Sequence, residues 1–165
     1  DQTKKYLARS FYFLVYQFIR IRYVNVEVVF ISHTTTAKEV SETEFFHRGQ
    51  SGGTYISSGY EKALEVIEKR FDPSSWNVYA FHCSDGDNWL EDNAKAIELA
   101  GKLCDVCNLF GYAEITLGYY LPIGTIRNEL VSQVKRDNFA VATMARKEDL
   151  LPALKSLLRK EKEAI

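Results

Sequence analysis

The feature that most constrains this chain is the regular alternation of short β-branched apolar runs with longer stretches of helical periodicity. Residues 26–32 (VEVVFIS), 77–83, 112–119 and 138–144 read as strands buried on both faces. Between them lie helical stripes. Leu7, Phe11, Leu14, Phe18 and Ile21 recur at helical spacing in residues 3–23, and Tyr60, Ala63, Leu64 and Ile67 in residues 57–71. Residues 92–110 carry Ala96, Ala100, Leu103, Cys104 and Cys107 along one side. A further helix is expected from Gly124-Thr125 through about Arg136. The last is marked by Leu150, Leu151, Leu154, Leu157 and Leu158, with Pro152 tolerated in its first turn. Residues 37–40 suit a short edge strand and residues 45–53 a polar loop. Strand-helix alternation predicts an α/β fold: a doubly wound, mostly parallel sheet with helices on both faces, forming one domain over residues 1–165. Sites in such sheets gather beyond the carboxyl ends of the strands.

Composition narrows the function. The formal net charge is −1, so no global field favours nucleic acid or an anionic membrane. No apolar run approaches the ~20 residues of a membrane span; the richest, residues 10–23, is broken by Gln17, Arg20 and Arg22. Three cysteines argue against a secreted disulfide scaffold and for a reducing, cytoplasmic setting. Cys104 and Cys107 have CxxC spacing inside a helical pattern, which suits buried small residues better than redox or zinc chemistry.

Two segments carry chemistry. Ser51-Gly52-Gly53-Thr54 turns sharply just before a helix and delivers a threonine hydroxyl. About thirty residues on, an apolar strand ends in Ser84-Asp85-Gly86. A hydroxyl and a carboxylate at the ends of core elements are oxygen donors of the kind a hard divalent cation requires. Each also has a plain structural reading: Thr54 as a turn or helix-entry residue, Asp85 as an Asp-Gly turn, and Asp87 facing solvent.

These residues resemble a family. Gly52-Gly53-Thr54, Gly59 and Ala63-Leu64 resemble the threonine loop of the metal site in von Willebrand factor A-like domains, and Phe81 to Gly86 resembles the strand bearing its aspartate. The longer segments HTTTAKEVSETEFFHRGQSGGTYISSGYEKALE and NVYAFHCSDGDNW are similar to the bacterial YhbH/YeaH family, linked to sporulation and stress. The resemblance implies a Rossmann-like fold and a metal-ion-dependent adhesion site holding Mg²⁺, with Mn²⁺ as the substitute. Thr54 and Asp85 would be ligands, Gly52, Gly53, Ser84 and Gly86 would shape the loop, and a partner carboxylate would complete the shell. It further implies an Asp-x-Ser-x-Ser segment, which does not occur here; Asp1 to Lys5 resembles the residues that follow it. The expectation is therefore an N-terminally truncated domain lacking its first, central strand. Its metal site would be weak or absent, and a sheet edge would be left for rearrangement, a partner or self-association.

The leading functional expectation is a non-enzymatic, cytoplasmic protein-interaction module. His33, Trp89 and Tyr119 would line a partner-binding rim, with Phe45, Phe46 and Tyr120 nearby. The resemblance also suggests association with a PrkA-like serine kinase. A metal-dependent hydrolase using His33 or His82 with Asp85 is the alternative. A structural domain with a vestigial metal site is the third reading. No GxSxG elbow, P-loop or HExxH pattern supports other catalysis.

Overall fold

The computed structural model describes residues 2–47, 55–117 and 124–161. Helix α1 (Gln2–Arg22) comes first, followed by an antiparallel hairpin of β1 (Phe30–His33) and β2 (Ala37–Val40). A short helix α2 (Glu42–His47) precedes α3 (Ile56–Arg70). Strand β3 (Tyr79–Ser84), helix α4 (Leu90–Val106), strand β4 (Leu109–Ile115), helix α5 (Arg127–Gln133), strand β5 (Phe139–Met144) and helix α6 (Leu150–Leu158) complete the chain. Strands β3, β4 and β5 form a parallel sheet in that order.

Helices cover both faces of this sheet. Strand β4 is buried along its whole length, and its side chains alternate between two cores. Phe110 and Tyr112 join Ile56, Tyr60, Leu99, Leu103, Ile126 and Leu130, the packing of α3, α4 and α5. Leu109, Ala113 and Ile115 join Leu7, Phe11, Val15, Leu154 and Leu157, the packing of α1 and α6. Apolar residues four apart on α1 thus become one wall of the second core. Gly111 permits the closest layer contact: a Cβ there would lie 3.1 Å from Phe81 and 3.2 Å from Leu157. The doubly wound, parallel arrangement expected from the alternation is present in β3, β4 and β5, and the short strand expected over Ala37–Val40 forms, paired with β1 in a separate hairpin.

Several boundaries differ, and the helix expected from Gly124-Thr125 to about Arg136 spans only Arg127–Gln133. The strand expected over residues 26–32 is confined to Phe30–His33, because residues 26–29 have no neighbouring strand to pair with among the described residues. The strand expected over 112–119 begins instead at Leu109, and α4 stops at Val106 rather than running to 110. The cause is Asn138, whose amide donates to the Cys104 and Cys107 carbonyls at 2.8 and 2.9 Å and caps α4 from across the fold. The loop expected over 45–53 begins within α2. The Cys104 and Cys107 side chains are buried beside this cap.

The hairpin and the parallel sheet are separate sheets. They are held together by helices rather than by a ladder. Phe30 packs against Phe45, Phe46 and Tyr16, with ring centroids 5.0, 5.5 and 5.8 Å away. Between the edges of β1 and β3 lies a cavity of about 540 Å³, walled by α1 on one side and α3 on the other.

Candidate functional site

The carboxyl ends of the parallel strands converge on a polar rim. Strand β3 ends at Ser84, and the chain turns at Gly86, whose φ of 85° lies in the left-handed region. A side chain there is excluded, since a Cβ would collide with the Glu114 carboxylate and lie 2.6 Å from the Thr125 Cβ.

Glu114 is fully buried, one residue before the end of β4. The Tyr112 hydroxyl donates to one carboxylate oxygen at 2.8 Å and the Thr125 hydroxyl to the other at 3.0 Å. With the Tyr112 hydroxyl proton committed to Glu114, Ser84 donates to Tyr112 at 2.8 Å, and the Gly86 N–H donates to the Ser84 hydroxyl at 3.1 Å. Burial pushes the Glu114 carboxyl above its ordinary range, while the Tyr112 and Thr125 hydrogen bonds oppose the rise. Ile126 N–H donates to the Gly86 carbonyl at 3.2 Å, tying the start of α5 to the turn. Ser84 and Gly86 therefore build the turn, and Ser84 has its hydroxyl engaged inward.

Asp85 points the other way, toward α1. Its carboxylate pairs with the Lys4 ammonium at 3.3 Å, both side chains about a third exposed (39% and 33%). Asp87 is exposed. Among the described residues, no three His, Cys, Asp or Glu side chains converge as a metal cage. Thr54, Gly52, Gly53 and Tyr119 lie outside the described residues.

A second polar cluster joins the starts of α3 and α4. Asp92 accepts from the Ser57 N–H at 3.0 Å and the Ser57 hydroxyl at 2.5 Å, and Asn88 accepts from the Ile56 N–H at 2.9 Å. The first N–H groups of α3, which have no partner within the helix, thus find acceptors in Asn88 of the loop after β3 and Asp92 of the first turn of α4. Beside it the Trp89 ring stacks on Tyr55, centroids 6.1 Å apart and planes 7° from parallel, with Trp89 51% exposed.

His47 is exposed at the end of α2, whereas His33 and His82 face inward, on the α3 side of the sheet. The rings of His33 and His82 lie 5.5 Å apart, and the Tyr60 hydroxyl bonds to His82 Nδ1 at 2.8 Å. His33 Nδ1 and His82 Nε2 are buried with no hydrogen-bond partner among the described residues. Burial lowers both imidazoles below their ordinary value, opposed at His33 by the charge of Asp92 and reinforced at His82 by His33. Asp92, not Asp85, is the carboxylate whose charge acts on His33. The structure thus does not bring His33 or His82 together with Asp85. His33 is packed against Gly59 rather than displayed on the rim.

Sequence reasoning passed over Glu114, Asp92 and Lys4. Glu114 had a readable signal, a lone carboxylate within the apolar run YAEI. Asp92 and Lys4 read as ordinary helix-surface charges, and only tertiary contacts distinguish them.

Fold and rim together define a parallel α/β domain with a carboxylate site beyond its strand ends. The chain belongs to the family described as "Protein of unknown function (DUF444)", whose profile matches residues 1–161. It is 70% identical over 160 residues to a UPF0229 protein of Ruminiclostridium cellulolyticum, covering 97% of this chain and 40% of that protein. A UPF0229 protein of Clostridium perfringens is 49% identical over 161 residues, covering 98% of this chain and 41% of its own length. One from Bacillus cereus is 44% identical over 158 residues, covering 96% of this chain and 40% of its own length. The chain thus spans about two fifths of the length of these relatives. No helix among the described residues is long and apolar enough to cross a membrane.

Proposed function

We propose that, within the longer protein, the Asp85 rim is a divalent-cation-dependent docking site for a carboxylate on a partner protein, in a non-enzymatic module. The observation that carries this reading is the Lys4–Asp85 pair. An outward carboxylate beside a glycine turn at the strand ends is already neutralised by a cationic group. A hard cation suits the same oxygen donor. Asp85 would hold Mg²⁺ or Mn²⁺, with Thr54 as a second donor. Bound there, the ion supplies a positive charge able to bridge to a partner oxygen. Trp89, stacked on Tyr55 and exposed, would add apolar contact area beside it. Ser84 and Gly86 would fix the turn rather than ligate, since the Ser84 hydroxyl is engaged with Tyr112. The resemblance set out above extends the proposal to a cytoplasmic role in bacterial stress or sporulation and to a PrkA-like serine kinase as partner.

The test is calorimetric titration of the longer protein with MgCl₂ and MnCl₂, in the native form and with Asp85→Asn. Heat of binding lost in the variant, together with kinase capture that disappears in EDTA, is the expected result. Unchanged heats in both forms would leave Asp85 a turn residue and the domain a structural one.

A further inference from the structure

Helix α1 turns a row of cations and aromatic rings away from the fold. Its buried residues, Leu7, Phe11 and Val15, lie on the sheet side. On the opposite side, at ~100° per residue, Lys5, Tyr6, Arg9, Phe13, Tyr16 and Arg20 fall within one arc of about 100°. Tyr6 and Phe13 are 55% and 51% exposed, and Lys5, Arg9 and Arg20 are exposed as well. The Arg20 guanidinium lies over the Tyr16 ring, 5.2 Å from its centroid. Phe13 and Tyr16 meet the Phe46 ring of α2 edge to face, with centroids 6.2 and 6.4 Å away, so α2 forms one flank of the row.

The charge on this helix is one-sided. Gln2–Arg22 carries five Lys and Arg residues and no Asp or Glu, in a chain with 21 cations and 22 acids. The two cations on the sheet side find acids within the fold: Lys4 pairs with Asp85 at 3.3 Å and Arg22 with Glu161 at 4.0 Å. Among the described residues, no carboxylate pairs with Lys5, Arg9 or Arg20. The fold neutralises the inward charges of α1 and leaves the outward ones uncompensated.

We propose that this row is a docking surface for an acidic, amphipathic helix of a partner protein. Charge complementarity selects the acid, since three uncompensated cations on one face attract a carboxylate-bearing partner and repel a basic one. Arg interleaved with half-exposed aromatic rings is the composition of protein-interface anchors. The row is straight and about 22 Å long from Lys5 to Arg20 at ~1.5 Å per residue, the footprint of a helix of about fifteen residues. Lys5 and Arg9 stand one turn apart, so partner carboxylates at i and i+4 face both. An apolar partner side chain beyond them enters the angle between Phe13 and Phe46. A phosphate chain fits less well, because Asp85 and Asp87 lie at the amino end of α1 and the net charge is −1. An anionic bilayer also fits less well, because the apolar face of α1 is already buried against the sheet. The row shares no residue with the Asp85 rim and is tested separately from it.

The test is selection from a displayed library of helical peptides of about sixteen residues, long enough to span the row, on the longer protein and on its Arg9→Glu variant. Peptides enriched on the native form should carry Asp or Glu at i and i+4 beside a large apolar residue. A synthetic copy of the most enriched peptide should bind Arg9→Glu on the order of tenfold more weakly, while the unfolding midpoint of the variant stays unmoved. Replacing the matching acid of that peptide by Lys should restore binding to Arg9→Glu, a rescue that a merely structural Arg9 would not allow. No enrichment, enriched peptides without an excess of acid, or equal binding to both forms would overturn the proposal. Tighter binding of poly(U) RNA or of phosphatidylglycerol vesicles than of any selected peptide, lost in Arg9→Glu, would overturn it by assigning the row to phosphate. A concentration-dependent dimer that Arg9→Glu dissolves would overturn it by assigning the row to a second copy.

Discussion

Buried His82 and His33 make folding sensitive to acid in a direction that can be stated in advance. Both folded imidazoles lie below the ordinary 6.5, so the unfolded chain takes up protons first as pH falls through that value. Stability from these groups is full above pH 6.5 and lost below it. Glu114 acts in the opposite sense, because its raised carboxyl keeps its proton in the folded state after the unfolded side chain has released it. Denaturant unfolding between pH 5.5 and 7.5 should show the slope, and His82→Gln should reduce it by up to about 1.4 kcal/mol per pH unit. An unchanged slope would place the titration elsewhere. Gly86 offers a second test. Gly86→Ala forces a Cβ onto Glu114 and Thr125 at a left-handed φ, and should cost at least about 1–3 kcal/mol in the same assay. The turn at Gly86 was legible from Ser-Asp-Gly ending an apolar strand. Its reason was not, because the colliding carboxylate comes from a different strand.

At the scale of elements, the starts of α3 and α4 are joined through Asp92. Asp92→Ala strips acceptors from the Ser57 N–H and hydroxyl and leaves buried donors bare, for an expected loss of about 1–3 kcal/mol. Asp92→Asn should recover part of it, since one amide oxygen still accepts; equal losses in both variants would point to packing instead. Helices and strands were readable wherever local pattern and tertiary partner agree, as in β5 and α6. They were misjudged where a distant residue decides. Asn138 ends α4 from more than thirty residues away, and Leu109-Phe110, which continue the helical apolar pattern, are claimed by β4 instead. Residues 26–29 have the composition of a strand and lack only a neighbour, a quantity that propensity does not contain.

For the whole molecule, the packing of α1 against the parallel sheet is the contact on which the second core depends. Phe11 is fully buried at its centre. Phe11→Ala should cost about 3–5 kcal/mol, a large part of the ~5–15 kcal/mol available to a domain of this size. Thermal and denaturant unfolding should agree on the figure, and a loss below ~1 kcal/mol would mean that α1 is dispensable to the sheet. The two-faced architecture was legible in the alternation of periods along the chain. The division of its strands into two sheets was not, because alternation orders elements in sequence and says nothing about which edges meet.

The hairpin's attachment also sets how the chain comes apart. Strands β1 and β2 reach the remainder of the fold through rings stacked on α1, His33 packed against Gly59 and His82, a Tyr55–Thr34 backbone bond and the Arg70–Glu39 ion pair, not through a shared ladder. Such a link can release as a unit while β3, β4 and β5 stay paired. Under gentle denaturation the molecule should therefore loosen like a clasp opening on a closed book, hairpin first and pages later.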